Sequence, residues 1–282
     1  MSWRRIGGVD PRELWESRLQ LHWAAQAAAG VGRSLLPKQP DFSQESFTWS
    51  PMHGALLQGV VDAPRPFRTG IRLRDMTLLL LNDHASIIDE LSMNGRTLAD
   101  GYAFFAARAG ALLGRDVTIT PPPEGMRPHA VADGATFQAD LRHLEELERY
   151  YAGAAEILGE VQGREEGASP IRCWPHHFDI AMLITLAGSD EQARTVGIGM
   201  APGDDSIREP YYYASPSPSP WPYPSESALP PLAHGRWNID GWFGALLTAS
   251  EFASIPGDQQ QAQAVSRFVA DAARHCRQFA SQ

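Results

Sequence analysis

Residues 67–91 read FRTGIRLRDMTLLLLNDHASIIDEL, a series of short apolar runs divided by turn residues. Segments 67–73, 76–81 and 86–91 are strand-sized, and Asn82-Asp83 is a turn signal that predicts a hairpin. Two more strands are predicted upstream, at residues 47–49 and 55–61. Because these strands follow one another without intervening helices, the segment predicts an antiparallel sheet.

A second strand-rich segment covers residues 171–243, with strands predicted at 178–187, 195–200 and 211–214 and a further short one upstream at 117–120. Apolar residues at helical spacing predict four helices around the two strand clusters, beginning near Asp10, Thr97, Phe137 and Asp258. The order predicts an α+β fold, with mainly antiparallel sheet in one or two strand clusters, packed by four helices. We expect a single domain over residues 1–282, with two pseudo-repeated halves, about 1–134 and 135–282, as an open alternative within it.

The chain of 282 residues carries a net charge of -9, with a pI near 5.5. This charge argues against nucleic acid or an anionic membrane as the main partner. No apolar run approaches the roughly 20 residues that span a bilayer, and the start of the chain lacks a secretory apolar stretch. Cys173 and Cys276 are too few for a disulfide framework, so the sequence predicts a cytoplasmic protein with reduced thiols, with one disulfide between the two as the open alternative. It gives no oligomeric state.

The segment Trp174-Pro175-His176-His177-Phe178-Asp179 holds the strongest candidate for chemistry. On a strand, His177 and Asp179 would share one face and His176 would point to the other. An imidazole and a carboxylate at this spacing suit an oriented acid/base pair or a metal site. The equally open alternative is a structural hydrogen bond between the two side chains.

Three further groups are candidates to join them. Glu209 precedes Tyr211 and Tyr213, whose rings and hydroxyls suit ligand contact. His22 and Gln26 share one face of the first predicted helix. The predicted catalytic and metal-ligating set is His177, Asp179 and Glu209, and the predicted ligand-binding set is His22, Gln26, Trp174, Tyr211 and Tyr213. The alternative for each is packing, a surface ion pair or a solvated helix face.

Two loops each allow a functional and a structural interpretation. Residues 201–204, APGD, are interpreted as a turn after a strand rather than as a pocket carboxylate. Residues 215–231 are rich in Pro and Ser and predict an extended path. Trp221 and Tyr223 make this segment either a lid over a ligand or a surface loop. Phosphate-loop, serine-elbow, zincin and Cys-x-x-Cys motifs are not found in the sequence.

Several of these pieces together resemble the DUF5996 family of bacterial proteins. They are Leu21-His22 with Gln26, residues 174–181 (WPHHFDIA), residues 201–204 (APGD) and residues 209–213 (EPYYY). They spread over most of the chain, so the resemblance is to a whole protein. It implies no particular activity, cofactor or catalytic residue.

The sequence leaves open whether the protein is an enzyme. One hypothesis is a small-molecule enzyme or metal-binding protein with a His/Asp/Glu pocket. Its cofactor is unknown, with a divalent metal as one option that the residue types do not narrow to Zn, Mn or Fe. If the protein is an enzyme without metal, Asp179 and Glu209 would act as an acid/base pair. The alternative is a non-catalytic ligand-binding or protein-interaction module whose His/Asp cluster is structural.

Overall fold

The computed structural model describes residues 3–189 and 193–281. Within these ranges the chain forms antiparallel sheets and four long helices of 16 to 23 residues, which confirms the predicted α+β class. None of the helices in the described ranges has both the length and the apolar character that a bilayer crossing requires.

The helices are α1 (Trp15–Leu35), α2 (Leu98–Leu113), α3 (Leu141–Gln162), the short α4 (Ala249–Ala253) and α5 (Asp258–Ala280). The first five strands are β1 (Thr48–Ser50), β2 (Ala55–Leu57), β3 (Phe67–Arg72), β4 (Thr77–Asn82) and β5 (Ile87–Ser92). The later strands are β6 (Arg172–Cys173), β7 (Ile180–Ala187), β8 (Arg194–Ala201), β9 (Tyr211–Ser217), β10 (Arg236–Asn238) and β11 (Gly244–Thr248).

The chain divides into two compact units. Unit 1 comprises Met1–Glu13, Arg149–Ile171 and Asp179–Gln282, and unit 2 comprises Leu14–Glu148 and Arg172–Phe178. The chain therefore passes from one unit to the other four times: before α1 at Glu13–Leu14, within α3 at Glu148–Arg149, at Ile171–Arg172 and at Phe178–Asp179. The division of the sequence into two pseudo-repeated halves stays a prediction.

Unit 2 is built on the sheet β1-β2-β3-β4-β5, in which each strand pairs antiparallel with the next along the chain. Helix α1 packs on β3 and β4, and Thr69 donates a hydrogen bond to the Ala28 carbonyl oxygen at 3.4 Å. The middle turns of α1 are rich in Ala and Gly and are buried on all sides. Because small side chains allow close approach, α1 can pack against both the sheet and α2.

Helix α2 begins and ends where the sequence predicts. The Thr97 side chain accepts from the Asp100 amide, and the Asp100 carboxylate accepts from the Thr97 amide at 2.8 Å, which together form a capping box. Gly114 ends the helix with φ +67°, a left-handed conformation that favours glycine.

In unit 1 the strands follow the order β10-β11-β9-β8-β7. Helix α5 packs against β8, β9 and β11 through its apolar face. Along β9, Tyr212 and Ala214 are completely buried, whereas Tyr213 between them is half-buried. This alternation places Tyr211 and Tyr213 on the face of the sheet opposite Tyr212.

Residues 117–120 do not form the predicted strand. The Thr120 amide instead donates to the Ser34 hydroxyl at 2.8 Å, and Ile119 is buried. Side chains of α1 thus satisfy backbone groups that a strand ladder would use. The predicted strand 211–214 is also longer in the structure. The first three residues of the Pro-rich segment, 215–217, continue β9 and pair with β8 alone. Pro216 is tolerated there because its missing N–H faces no second strand.

Candidate functional site

The His-His segment is a turn rather than a strand. The Phe178 amide donates to the Trp174 carbonyl oxygen at 2.6 Å, and Phe178 has φ +63°. Strand β7 begins only at Ile180. The predicted strand start at residue 178 is therefore wrong, because a left-handed residue interrupts the extended path. Strand alternation consequently gives no information on the relative directions of His177 and Asp179.

His22 and Gln26 hold this turn by its backbone. His22 Nε2 lies 2.7 Å from the Pro175 carbonyl oxygen, and Gln26 Nε2 donates to the same oxygen at 2.7 Å. The His22 ring stacks on Phe178, with 4.9 Å between centroids and 6° between planes. His22 is 5% exposed and Gln26 1% exposed. The shared α1 face predicted for these two residues is thus directed at a buried carbonyl of their own unit.

Burial fixes the protonation state of His22. Burial of the imidazole is the largest cause of the shift, and the positive charge of Arg18 acts in the same direction. Together they lower the pKa of His22 to about 3. The imidazole is therefore neutral near pH 7. Because a carbonyl oxygen only accepts, Nε2 carries the proton and donates to Pro175.

Arg18 gives the same turn a second support. Its Nη2 donates to the His177 carbonyl oxygen at 3.4 Å, and its guanidinium lies 5.5 Å from the centroid of the Trp15 ring. The His176 and His177 rings are exposed, with centroids 4.5 Å apart, and Trp174 lies half-buried beside His176. Unit 2 therefore offers two exposed imidazoles on a firmly held turn.

Asp179 lies in unit 1, where its carboxylate has a phenol partner. The Tyr213 hydroxyl donates to Asp179 Oδ2 at 2.5 Å. The ring reaches this position across Gly199, its neighbour in the β8–β9 pairing. A Cβ atom at residue 199 would lie 2.7 Å from the Tyr213 hydroxyl oxygen and 2.7 Å from the Ala181 Cβ. The absence of a side chain at residue 199 is thus what allows the Tyr213–Asp179 contact.

Glu209 is used at the start of α4. Its Oε2 accepts from the Ser250 amide at 2.6 Å, and the neighbouring Pro210 carbonyl oxygen accepts from the Ala249 amide at 2.8 Å. A carboxylate at this position satisfies an amide that has no partner within the helix. Glu209 thus has a structural contact within its own unit.

Tyr211 also binds a carboxylate. Its hydroxyl donates to Asp204 Oδ2 at 2.5 Å, while Asp204 Oδ1 accepts the amides of Ser206 and Ile207 at 2.7 and 2.9 Å. The APGD segment is therefore an Asx turn, as its sequence indicates. Its carboxylate organises the loop that leads into β9.

Within the two units, the structure brings together His22 with Gln26, and Asp179 with Tyr213. His177 and Trp174 belong to unit 2, whereas Asp179, Glu209, Tyr211 and Tyr213 belong to unit 1. A joint His177, Asp179 and Glu209 site stays a prediction. Across the described ranges, no three His, Cys, Asp or Glu side chains lie close enough to hold a metal ion.

Sequence reasoning missed a cleft in unit 2 with a volume of about 470 Å³. We call it the Arg cleft, because two arginines line it together with amide, hydroxyl and apolar groups. Its lining includes Leu36, Pro37, Gln44, Ser46, Leu57, Arg68 and Arg172. The backbones of Phe47 and Cys173 exchange hydrogen bonds of 2.9 and 2.8 Å, which brings Arg172 beside Ser46. Isolated arginines so far apart in sequence carry no motif that could have indicated this site.

Comparisons with known proteins add no relative. No protein-family model matches the chain, and neither a curated protein nor a solved structure is significantly similar to it. The resemblance to the DUF5996 family therefore stays a prediction.

Proposed function

We propose that this protein is a non-catalytic small-molecule binding module in which Asp179, Glu209 and His22 have structural roles. The observation that carries the proposal is how the predicted acidic groups are used. Asp179 accepts the Tyr213 hydroxyl and Glu209 accepts the Ser250 amide, at 2.5 and 2.6 Å. Metal binding or proton transfer by either carboxylate would compete with the contact that it makes in its own unit.

His22, an imidazole predicted to bind ligand, supports the same proposal. Its pKa of about 3 keeps the ring neutral, and its hydrogen bond to the Pro175 carbonyl oxygen holds a turn. We therefore assign His22 and Gln26 a structural role.

The Arg cleft is the place that we assign to the ligand. Its volume of about 470 Å³ lies within the range of roughly 300–1,000 Å³ that is typical of small-molecule pockets. Polar and apolar groups both line it, as in most such pockets.

We also propose a cytoplasmic location and no nucleic-acid partner. The location is supported by the low cysteine content, two in 282 residues, which is typical of proteins that do not depend on disulfides. The net charge of -9 opposes binding to polyanions.

Metal content tests the proposal against the enzyme or metal-protein hypothesis. The full chain, purified without a histidine tag, is incubated with Zn, Mn or Fe salts, dialysed and assayed for bound metal. We expect no stoichiometric metal. Asp179→Ala should lower the free energy of unfolding by about 1–3 kcal/mol, because the Tyr213 hydroxyl loses its acceptor. His177→Ala should change it little, since this side chain is exposed. One metal per chain that both substitutions remove would overturn the proposal.

A further inference from the structure

We propose that the Arg cleft binds an oxyanion, either a carboxylate or a phosphoryl group, on a small, partly apolar molecule. This inference rests on the proposed function and names the ligand class of its site. A chain with a net charge of -9 would be expected to pair its arginines with its plentiful carboxylates.

Arg172 is oriented by a neutral partner. Its Nη1 donates to the Ser46 hydroxyl at 2.8 Å, and that hydroxyl donates to the Ser43 carbonyl oxygen at 2.7 Å. Among the residues that the structure describes, no carboxylate lies within the 4.0 Å of an ion pair with Arg172. The guanidinium is thus held in place while most of its donors remain available.

Arg68 shows a stronger mismatch. Its Nε is buried and has no hydrogen-bond partner within the described ranges, nor does this side chain form an ion pair there. A buried donor without an acceptor is unfavourable, and such groups are rare in native proteins. An oxyanion in the cleft would supply the acceptor that Arg68 lacks.

A third donor lines the same cleft. Gln44 Oε1 accepts the Gln39 amide at 2.9 Å, which assigns the other end of the side-chain amide as the NH₂ donor. Gln58, by contrast, already uses both ends, since it accepts from Gly32 at 2.9 Å and donates to the Glu45 carbonyl oxygen at 3.0 Å.

The acidic residues nearby leave the positive charge largely uncompensated. Glu45 is paired with Arg33 at 2.8 Å. Asp41 is exposed, and its pKa is lowered mainly by a hydrogen bond from Ser43, with a smaller contribution from the charge of Arg172. Asp41 therefore opposes an incoming anion without occupying its place.

The rest of the lining indicates what carries the oxyanion. Leu36, Pro37 and Leu57 give the cleft an apolar wall. The ligand class that fits both features has a charged head for the two arginines and a short hydrocarbon part for this wall.

The test is calorimetric titration of the full chain, at constant ionic strength, with hexanoate, hexyl phosphate and the uncharged hexanamide. We expect saturable binding of at least one anion, about ten- to hundredfold tighter than hexanamide. Preference for hexanoate would indicate an organic acid, and preference for hexyl phosphate a phosphorylated compound. Either preference supports the proposal. Hexanamide binding as tightly as both anions, or no saturable binding by either anion, overturns it.

Variants localise the site. Arg68→Gln and Arg172→Gln should each weaken the anion roughly ten- to hundredfold, whereas the control Arg96→Gln, which removes an exposed arginine outside the lining, should not. Asp41→Asn should strengthen binding a few-fold. Urea unfolding of each variant without ligand establishes that it folds. Arg172→Lys keeps the positive charge but loses the bidentate guanidinium, so its affinity for the anion should lie between those of wild type and Arg172→Gln. Unchanged affinity in a folded Arg172→Gln overturns the proposal. Failure here removes the anionic ligand class from the Arg cleft, while the metal assay still decides separately between the binding module and the enzyme or metal-protein hypothesis.

Discussion

Acid sensitivity of the His22 contact provides a quantitative test of its structural role. The folded chain holds the pKa of His22 at about 3, against an ordinary value of 6.5, chiefly because the ring is buried. Since the lowered pKa means that the unfolded chain takes up the proton first, the contribution of His22 to stability is complete above pH 6.5. It is then lost as the pH falls toward 3.

The size of this loss in unfolding free energy follows from the pH interval between the two pKa values. Each pH unit below 6.5 lowers the free energy of unfolding by about 1.4 kcal/mol. Between about pH 7.5 and about pH 5 the loss from this one group is therefore about 2 kcal/mol. His22→Gln removes the titrating group, so this variant should lack that component of the acid response.

Urea unfolding of both proteins across this pH range measures the effect. We expect the difference in unfolding free energy between wild type and His22→Gln to shrink by about 2 kcal/mol from the upper to the lower pH. The control His84→Gln removes an exposed imidazole of the same unit and should follow wild type. An equal difference between wild type and His22→Gln at both pH values would refute a buried, neutral His22.

Two further substitutions test packing and capping. Gly199→Ala should lower the free energy of unfolding by about 1–3 kcal/mol, because the new methyl group meets the tip of the Tyr213 ring and the Ala181 Cβ atom. The loss should be smaller in a Tyr213→Ala background, which removes the ring, and an undiminished loss measured by urea unfolding would contradict the contact with Tyr213. Thr97→Ala should destabilise by about 1 kcal/mol in thermal unfolding, because Asp100 loses half of its capping box, and no change would contradict the role of the cap.

Much of the fold could be predicted because local physical signals are strong there. The strands on either side of Asn82-Asp83 alternate with turn residues, and they pair in the expected hairpin. Thr97, Asp100 and Gly114 mark both ends of α2 by chemistry that acts within one or two helical turns.

The candidate site could be predicted only in part, because its geometry depends on distant residues. Nothing in the segment around Phe178 signals its left-handed conformation, which is stabilised by a stack on His22 from α1. Likewise, Tyr213 reaches Asp179 only because a neighbouring strand has glycine at residue 199. Arg68 and Arg172 meet at one cleft through the pairing of strands far apart in sequence, which periodicity within a segment does not encode.

The most direct test is a crystal structure of the chain grown with hexyl phosphate and zinc(II). We expect a phosphoryl group in contact with Arg68 and Arg172, while Asp179 stays hydrogen-bonded to Tyr213 and Glu209 to the Ser250 amide. A fully occupied zinc ion on His177, Asp179 and Glu209, with no ligand in the Arg cleft, would contradict this expectation.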